Sequence, residues 1–330
     1  MTDRAGRRRG LRAPAGRARG RGRRAALAAL ACAAFAAGCG FGAGEELKGD
    51  GARLRVTRDF GHTALGSEQV AHVREDQTVM RLLRSKFDVD TRYGGRFVQS
   101  IDGLEGAGAG GRHDWFFFVN GVESDKGAAE YVLSPGDRVQ WDYRPWNEAA
   151  SVPAIVGAYP EPFLHGLEGK RRPVRVECAD AASGACQEAK ARLDAAGVPT
   201  SGATVGAPAT QKVIRLVVAP WPKARIVRGA ADLERGPRAT GVFARFAADG
   251  RALELLDDSG RVARTVRPGD GTALVAALRP RSDELVWLVT GLDANALEAG
   301  VRALTQRRLR DAFAVAVTGD RVEKLPLEGR

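Results

Sequence analysis

The chain has 330 residues and a formal net charge of +11, with 44% hydrophobic and 28% charged residues. Ten Arg and one Asp in the first 24 residues supply nine of those eleven charges, so the rest of the chain is close to neutral. This distribution argues against a nucleic-acid partner, because no dense Lys/Arg cluster follows the basic start. Residues 39–330 are enough for about two domains.

The first 39 residues indicate an export signal. The arginine-rich start is followed by the uncharged stretch Ala25–Ala37, which is too short to span a bilayer but has the length of a signal-peptide core. Small residues then precede Cys39, as in lipoprotein signals. We predict that residues 1–38 are removed and that Cys39 carries a lipid, which anchors the protein on the extracytoplasmic face of a bacterial cell membrane.

Other interpretations of this segment remain open. A disordered basic tail followed by a buried alanine-rich helix fits the same composition. Arg23-Arg24 also leaves open whether export uses general secretion or the twin-arginine route. Residues 39–52 are Gly-rich and polar, which predicts a flexible tether.

Cys178 and Cys186 are the two cysteines outside the signal region. In an exported chain their spacing favours a local disulfide that joins the end of a strand to the start of a helix. Two free buried thiols are the alternative. A zinc site is disfavoured because no His or further Cys follows at the required spacing.

The residues after the tether predict a β-rich domain around one helix. The predicted elements are a strand at Leu54–Thr57, a helix capped by Asp76, and strands at Phe97–Ile101, Trp115–Val119, Tyr131–Leu133 and Arg138–Tyr143. Trp115–Val119 has large side chains at every position, so we expect it to be buried on both faces. Asn120-Gly121 directly after it favours the positive φ angles of a tight turn.

This region resembles a known family. The run Asp114–Gly121, followed by Pro135-Gly136-Asp137, Val139, Trp141 and Tyr143, resembles DUF4430, also described as the transcobalamin-like C-terminal domain. The resemblance spans about residues 53–146. It implies a small β-grasp-like fold, a sheet packed on one helix, so the expected class of the whole chain is α+β. It also implies an exported bacterial protein and a likeness to the smaller domain that closes over cobalamin in animal carriers.

Aromatic residues are concentrated in this domain and have two interpretations. They can form the core, or some of them can line a flat apolar surface for a planar ligand. The residues considered for such a surface are Tyr93, Trp115, Tyr131, Trp141, Tyr143 and Trp146.

Two further patterns point to no site. Gly106-x-Gly108-x-x-Gly111 satisfies the dinucleotide pattern but precedes a strand rather than a helix, so we expect a flexible loop. The four His are more typical of solvated or capping positions than of metal ligands; they are His62, His72, His113 and His165. We predict neither a metal site nor a resident cofactor.

Residues 147–172 contain three Pro among small and polar residues and predict a linker to a mixed α/β domain at 173–330. The predicted strands of that domain are Val174–Glu177, Val213–Val218, Gly241–Phe246, Leu253–Leu256, Ala273–Leu278, Leu285–Val289 and Phe313–Val317, with helices at Gln187–Ala196 and from Asp293. The domain contains no His, which excludes Ser-His and Cys-His chemistry within it. Asp257-Asp258 fits a turn, and we predict that the protein is not an enzyme.

Two functions fit these observations. The first is a membrane-anchored protein that binds a small planar ligand, as an accessory to uptake of a corrinoid-like compound. The second is an envelope interaction or scaffold protein whose partner is a transporter or another envelope protein.

Overall fold

Alternating apolar and polar side chains build the first sheet of the molecule. The computed structural model describes residues 46–107, 111–208 and 212–329, so the predicted signal peptide and Cys39 lie outside the described residues. The elements of the first part are β1 (Ala52–Arg58), β2 (Thr63–Val70), α1 (Val79–Arg84), β3 (Val89–Arg92), β4 (Phe97–Ile101), β5 (Leu104–Glu105), β6 (His113–Val119), β7 (Val122–Glu123) and β8 (Arg138–Pro145).

Five of these strands form one sheet in the order β2-β1-β8-β6-β7. The central pair, β1 and β8, is parallel, and the outer pairs are antiparallel. Leu54 of β1 and Trp141 of β8 pack with Leu82 and Leu83 of α1 in one buried core. β3, β4 and β5 form a separate small sheet. One helix therefore covers one face of the main sheet.

Two predictions for this part are wrong in detail. α1 is capped by Thr78 rather than Asp76, because the Thr78 hydroxyl accepts a hydrogen bond of 3.2 Å from the Arg81 amide. Asp76 instead forms an ion pair with the Arg81 side chain. Tyr131–Leu133 is not a strand, since it pairs only through an isolated bridge between Val132 and Thr78.

The prediction that β6 is buried on both faces is confirmed. Trp115 and Val119 lie in the core against α1, whereas Phe118, on the opposite face, lies in a core shared with the second part of the chain. The turn after β6 is also confirmed, with φ angles of 53° at Asn120 and 75° at Gly121.

The second part contains more strands than helices. Its elements are β9 (Val174–Cys178), α2 (Gly184–Ala195), β10 (Thr200–Thr204), β11 (Ile214–Val218), α3 (Trp221–Ala224), a 3₁₀ helix (Ala230–Arg235), α4 (Pro237–Thr240), β12 (Ala244–Phe246), β13 (Leu253–Leu256), β14 (Val262–Val266), β15 (Thr272–Arg281), β16 (Glu284–Gly291), α5 (Ala294–Arg302), α6 (Gln306–Leu309), β17 (Ala314–Thr318) and β18 (Arg321–Leu325).

A seven-stranded sheet in the order β10-β9-β11-β16-β15-β17-β18 is the centre of this part. β10, β9, β11 and β16 are parallel, and the remaining pairs are antiparallel. Leu193 of α2 and Val301 of α5 lie in the core on one face of the sheet. On the other face, Trp221 and Phe246 lie in a second core, where their rings stack 3.8 Å apart. The chain is thus mixed α and β, with strands predominant.

The predicted disulfide is confirmed. Cys178, the last residue of β9, is bonded to Cys186 in the first turn of α2, with their Cα atoms 5.9 Å apart. The bond therefore joins the end of a strand to the start of a helix, as the spacing indicated.

Residues 147–172 form no helix or strand, but they are not an exposed linker. Val152 and Ile155 are at most 1% exposed and lie in the core that also holds Phe118, while Tyr159 and Phe163 lie in the core against α2. Their apolar side chains are irregularly spaced, so they carry no periodic signal although they are buried. The two predicted domains therefore meet along this segment.

The strands β2, β10, β14 and β18 were not among the predicted elements. Each is an edge strand of its sheet. An edge strand is less buried than a central one, so its hydrophobic pattern is weak; β10 reads Thr-Ser-Gly-Ala-Thr. Within the described part of the chain, no helix combines the length and apolar character needed to cross a bilayer.

Candidate functional site

The aromatic residues considered for a planar ligand do not lie on one surface. Trp115, Tyr131 and Trp141 are at most 6% exposed and belong to the core against α1. Tyr93 is 80% exposed on the turn between β3 and β4, and Trp146 is 40% exposed after β8. Trp115, Tyr131 and Trp141 are buried because their large apolar side chains fill the small core against α1.

The remaining aromatic candidate, Tyr143, is partly buried, and the ring of His113 stacks on it at 5.6 Å. His62 lies 2.8 Å from the carbonyl oxygen of Pro326, and His165 lies 2.7 Å from the Glu161 carboxylate. Over the described ranges, no group of three or more His, Cys, Asp or Glu side chains is arranged to hold a metal ion.

A different set of side chains meets on the face of the first sheet opposite α1. The parallel register of β1 and β8 sets Arg53 beside Arg138 and Arg55 beside Gln140. Because successive strand residues point to opposite faces, these four side chains share one face, while the residues between them face the α1 core.

This polar face borders a cavity of about 450 Å³ between the first sheet and two loops of the rest of the chain. We call it the arginine cleft, after the four arginines that line it: Arg53, Arg55, Arg138 and Arg310. Three glutamines, at positions 69, 140 and 306, also line it. Its volume is in the usual range for small-molecule sites.

Two of the four arginines have free guanidinium groups. The side chains of Arg53 and Arg310 are exposed and make no hydrogen bond or ion pair to any described residue. Arg138 donates to the carbonyl oxygens of Ala158 and Tyr159, at 3.3 and 2.8 Å. Burial lowers the pKa of Arg138, and the positive charge of Arg53 lowers it further, against an opposing effect of a nearby carboxylate.

Arg55 is bound to a carboxylate of the second part. Its Nε donates to Oδ1 of Asp311 at 2.8 Å, and its Nη2 donates to Oδ2. Asp311 has a φ of 64° and a side chain that is only 7% exposed. Gln140 donates to the backbone carbonyl of Asp311 at 3.1 Å. Asp311 therefore fixes the second part against β1 and β8 at the floor of the cleft.

The electrostatic surroundings of the cleft are positive. Burial lowers the pKa of Lys324, Asp311 and Asp142 oppose that change, and Arg55 and Arg310 reinforce it. Lys324 is thus close enough to both arginines to feel their charge. Five cationic side chains, counting Lys324 with the four arginines, lie in or beside the cleft. They face the carboxylates of Asp311 and Asp142, of Glu68, which also lines the cleft, and of Glu161, which acts on Arg138. A small excess of positive charge remains, which favours an anion.

In two larger cavities, most arginine side chains are paired with carboxylates. One of about 820 Å³ lies at the amino ends of β9 and β11, where Arg175 and Arg215 both bind the buried Glu177 carboxylate. The other, of about 790 Å³, contains an ion pair between Arg264 and Glu323. Their buried or half-buried arginines are already neutralised, so we select the arginine cleft as the candidate site.

The sequence analysis did not predict this cleft, although two short segments carry a pattern that indicates part of it. Arg53-x-Arg55 and Arg138-x-Gln140 repeat polar residues at alternate positions of strands whose other residues form a core. Such a pattern indicates a polar second face. The contribution of Arg310 could not be found, because a tertiary contact between distant segments has no local sequence signature.

Comparisons with known proteins identify only part of the chain. Residues 76–144 match the family described as "Domain of unknown function (DUF4430)", which is about a fifth of the 330 residues. No curated protein matches the chain. A solved structure described as "a putative metal binding protein from Ruminococcus gnavus ATCC 29149" is 15% identical, has a TM-score of 0.23, and covers 29% of this chain and 97% of its own. The chain thus contains a DUF4430 segment, and Arg138 and Gln140 of the arginine cleft lie inside it.

Proposed function

We propose that this chain is an exported, lipid-anchored protein that binds a small anionic ligand in the arginine cleft. The observation that carries the proposal is that Arg53 and Arg310 line a cavity and have no ionic partner among the described residues. Guanidinium groups bind carboxylates and phosphates through paired, charge-assisted hydrogen bonds. The glutamine amides of the cleft supply donors and acceptors for the uncharged part of a ligand.

The burial of three aromatic candidates supports a small anion over a planar, corrinoid-like ligand. A flat apolar surface needs exposed aromatic faces, and Trp115, Tyr131 and Trp141 have none available. A corrinoid nevertheless remains in the test, because Tyr93 and Trp146 are exposed. A role as an accessory to uptake fits either ligand.

Titration calorimetry on the purified full chain tests this proposal. The probes are propionate, succinate, inorganic phosphate, cobalamin and cobinamide, at low ionic strength so that screening is small. We expect saturable binding of at least one small anion. Arg53→Gln with Arg310→Gln should weaken it by about tenfold or more, since each loses a charge-assisted contact.

Arg281→Gln is the matched control, because Arg281 is an exposed arginine that lines a different cavity. It should leave anion binding unchanged. Equal affinity in the wild type and the double variant would overturn the proposal for this cleft. Cobinamide binding that survives the arginine changes but not Trp146→Ala would instead favour a corrinoid ligand that contacts Trp146.

The lipid anchor is a separate part of the proposal and rests on the sequence around Cys39. Cys39→Ser should release the protein from the membrane fraction. Retention of that variant in membranes would contradict the anchor without affecting the proposed cleft.

The arrangement of the first part supports a β-grasp-like fold for residues 53–146. The sheet has a parallel central pair, β1 and β8, and a single helix, α1, on one face. This topology agrees with what the DUF4430 resemblance implies.

An envelope interaction protein is the second candidate. Tyr93 is 80% exposed at the tip of the β3–β4 hairpin, and its ring lies 6.3 Å from that of Phe97, itself 41% exposed. Crosslinking in intact cells tests this candidate: Tyr93→Ser should remove a crosslinked protein partner that the wild type captures.

A further inference from the structure

Two carboxylates of the chain itself, Glu68 and Asp311, line the arginine cleft, and Asp311 is bound to one of the cleft arginines. Asp311 binds the Arg55 guanidinium through both carboxylate oxygens, which is the two-point geometry by which arginine holds a carboxylate ligand. The Arg55 side chain is 26% exposed and that of Asp311 is 7% exposed, so the pair lies at the inner end of the cleft. Arg53 and Arg310, by contrast, are free toward solvent.

The backbone holds Asp311 in this position. A Cβ at Gly61 would lie 1.8 Å from the Asp311 carbonyl oxygen, and a Cβ at Gly157 would lie 2.8 Å from the Asp311 carbonyl carbon. Only glycine permits such close approach of three backbone segments. Gln140 also binds the Asp311 carbonyl. The backbone of Asp311 is therefore fixed, and its carboxylate is held by the two hydrogen bonds from Arg55.

We propose that Asp311 determines the specificity of the arginine cleft: it fills the Arg55 position from within and so restricts the cleft to ligands that present a single anionic group. This inference rests on the proposed function, since it concerns the same cleft. A monocarboxylate would bind at Arg53 and Arg310. A second carboxylate on the ligand would find Arg55 occupied and would meet the negative charge of Asp311.

Removing the internal carboxylate should therefore convert the cleft into a site for dicarboxylates. Asp311→Asn and Asp311→Gly both suit the experiment, because Asn and Gly accept a φ of 64°. Using two replacements keeps the test valid if one of them does not fold. Asp59→Asn is the matched control, since Asp59 also has a positive φ, of 57°, and does not line the cleft.

Calorimetry with propionate and succinate on the full-length variants gives the readout. In the wild type we expect succinate to bind about threefold or more weaker than propionate, because its second carboxylate finds Arg55 occupied and is repelled by Asp311. In Asp311→Asn or Asp311→Gly we expect succinate to bind about tenfold more tightly or better, and Asp59→Asn to behave as the wild type. Adding Arg55→Gln to the Asp311 variant should remove the gain.

The outcomes separate this inference from the proposed function. If the wild type binds propionate and the Asp311 variants bind succinate no better, the inference fails while the cleft remains a site. If the wild type binds no anion but the Asp311 variants bind succinate, the proposed function fails, and the inference that Asp311 fills the Arg55 position is supported. Succinate binding that survives Arg55→Gln in the Asp311 variant would also overturn the inference.

Discussion

The backbone amide of Gly61 donates a hydrogen bond of 2.9 Å to the carboxylate of Asp142. The hydroxyl of Thr57 and the amide of Phe60 donate to the same carboxylate, at 2.6 and 3.0 Å. Asp59, Phe60 and Gly61 all have positive φ angles, a conformation that needs such support. This turn directs Phe60 into the core of the second part, so a buried carboxylate of the first sheet helps to join the two parts.

At about pH 4, Asp142→Asn should destabilise the protein by about 2–4 kcal/mol. The amide nitrogen of Asn would face a backbone N–H, so one buried donor would lose its acceptor. Urea denaturation measures the change. Asp59→Asn is the control: Asp59 is about half exposed and Asn tolerates its φ of 57°, so its effect should be within about 0.5 kcal/mol. Equal effects of the two changes would contradict the role assigned to Asp142.

The contribution of Asp142 should depend on pH. Burial raises its pKa to about 6 from an ordinary 3.8, against the opposing hydrogen bonds from Thr57 and Gly61. The folded protein then binds this proton more tightly than the unfolded chain, so the contribution is full below about pH 4 and is lost as the pH rises through 6. The stability of the wild type relative to Asp142→Asn should therefore fall, by on the order of 3 kcal/mol, between about pH 4 and 7.

Urea midpoints of both proteins at several pH values across that range give the comparison. Using the difference cancels the other titrating groups. If the stability difference between the two proteins stays constant or grows with pH, burial does not raise the pKa of Asp142.

Phe60→Ala should cost about 3–5 kcal/mol, the range for removing a fully buried aromatic side chain. Phe60 is 1% exposed, and its ring packs edge-on against Phe243 and Phe313 at 4.7 and 5.3 Å. Phe97→Ala is the control, since Phe97 is 41% exposed and should cost well under half as much. Guanidinium denaturation followed by circular dichroism gives both values. Similar losses of stability in the two variants would refute the role of Phe60 in packing against Phe243 and Phe313.

Gly61→Ala should be far more damaging than Gly94→Ala. Both glycines have positive φ, 77° and 69°, so both replacements carry the same backbone strain of about 1–2 kcal/mol. A Cβ at position 94 meets nothing within 4 Å, whereas one at position 61 would overlap the carbonyl of Asp311. Thermal melting should show a small loss for the first and a loss several times larger, or failure to fold, for the second. Equal melting temperatures would mean that the contact between Gly61 and Asp311 can open locally without loss of stability.

Loss of the disulfide should lower stability by roughly 2–3 kcal/mol. The bond between Cys178 and Cys186 closes a short loop, and the value follows from the chain entropy of a loop of that length. Guanidinium denaturation of the wild type with and without reductant measures the loss. The variant with both cysteines changed to Ser should be equally destabilised and insensitive to reductant. A wild type unaffected by reductant would contradict the prediction.

The sequence predicted the central strands well because they are buried on both sides. The boundaries predicted for Phe97–Ile101 and Leu253–Leu256 agree with β4 and β13, and the cysteine spacing predicted the disulfide. The edge strands β2, β10, β14 and β18 were missed because partial burial leaves little apolar alternation in their sequences. The cap of α1 was assigned to Asp76 although Thr78 also fits a cap, since local patterns rank neighbouring cap residues poorly.

The arginine cleft was only partly accessible to sequence reasoning. Arg53 and Arg55 alternate with apolar residues in β1, but their function depends on the residues that lie opposite them. Arg310 and Asp311 belong to a loop after α6, and nothing in their own sequence indicates contact with β1. The burial of residues within 147–172 was not predicted for the same reason: it depends on two surfaces that the local sequence does not describe.

Arg55 and Asp311 are 256 residues apart in the chain, although their side chains touch. All strands of the first sheet are synthesised long before Asp311 leaves the ribosome. During that time Arg55 and Phe118 lack the residues that they contact in the folded protein. A stop codon shortly before Asp311 would remove none of the DUF4430 segment and would still leave that segment with an uncovered face. A truncation can thus disturb the first sheet although it leaves every strand of that sheet in place.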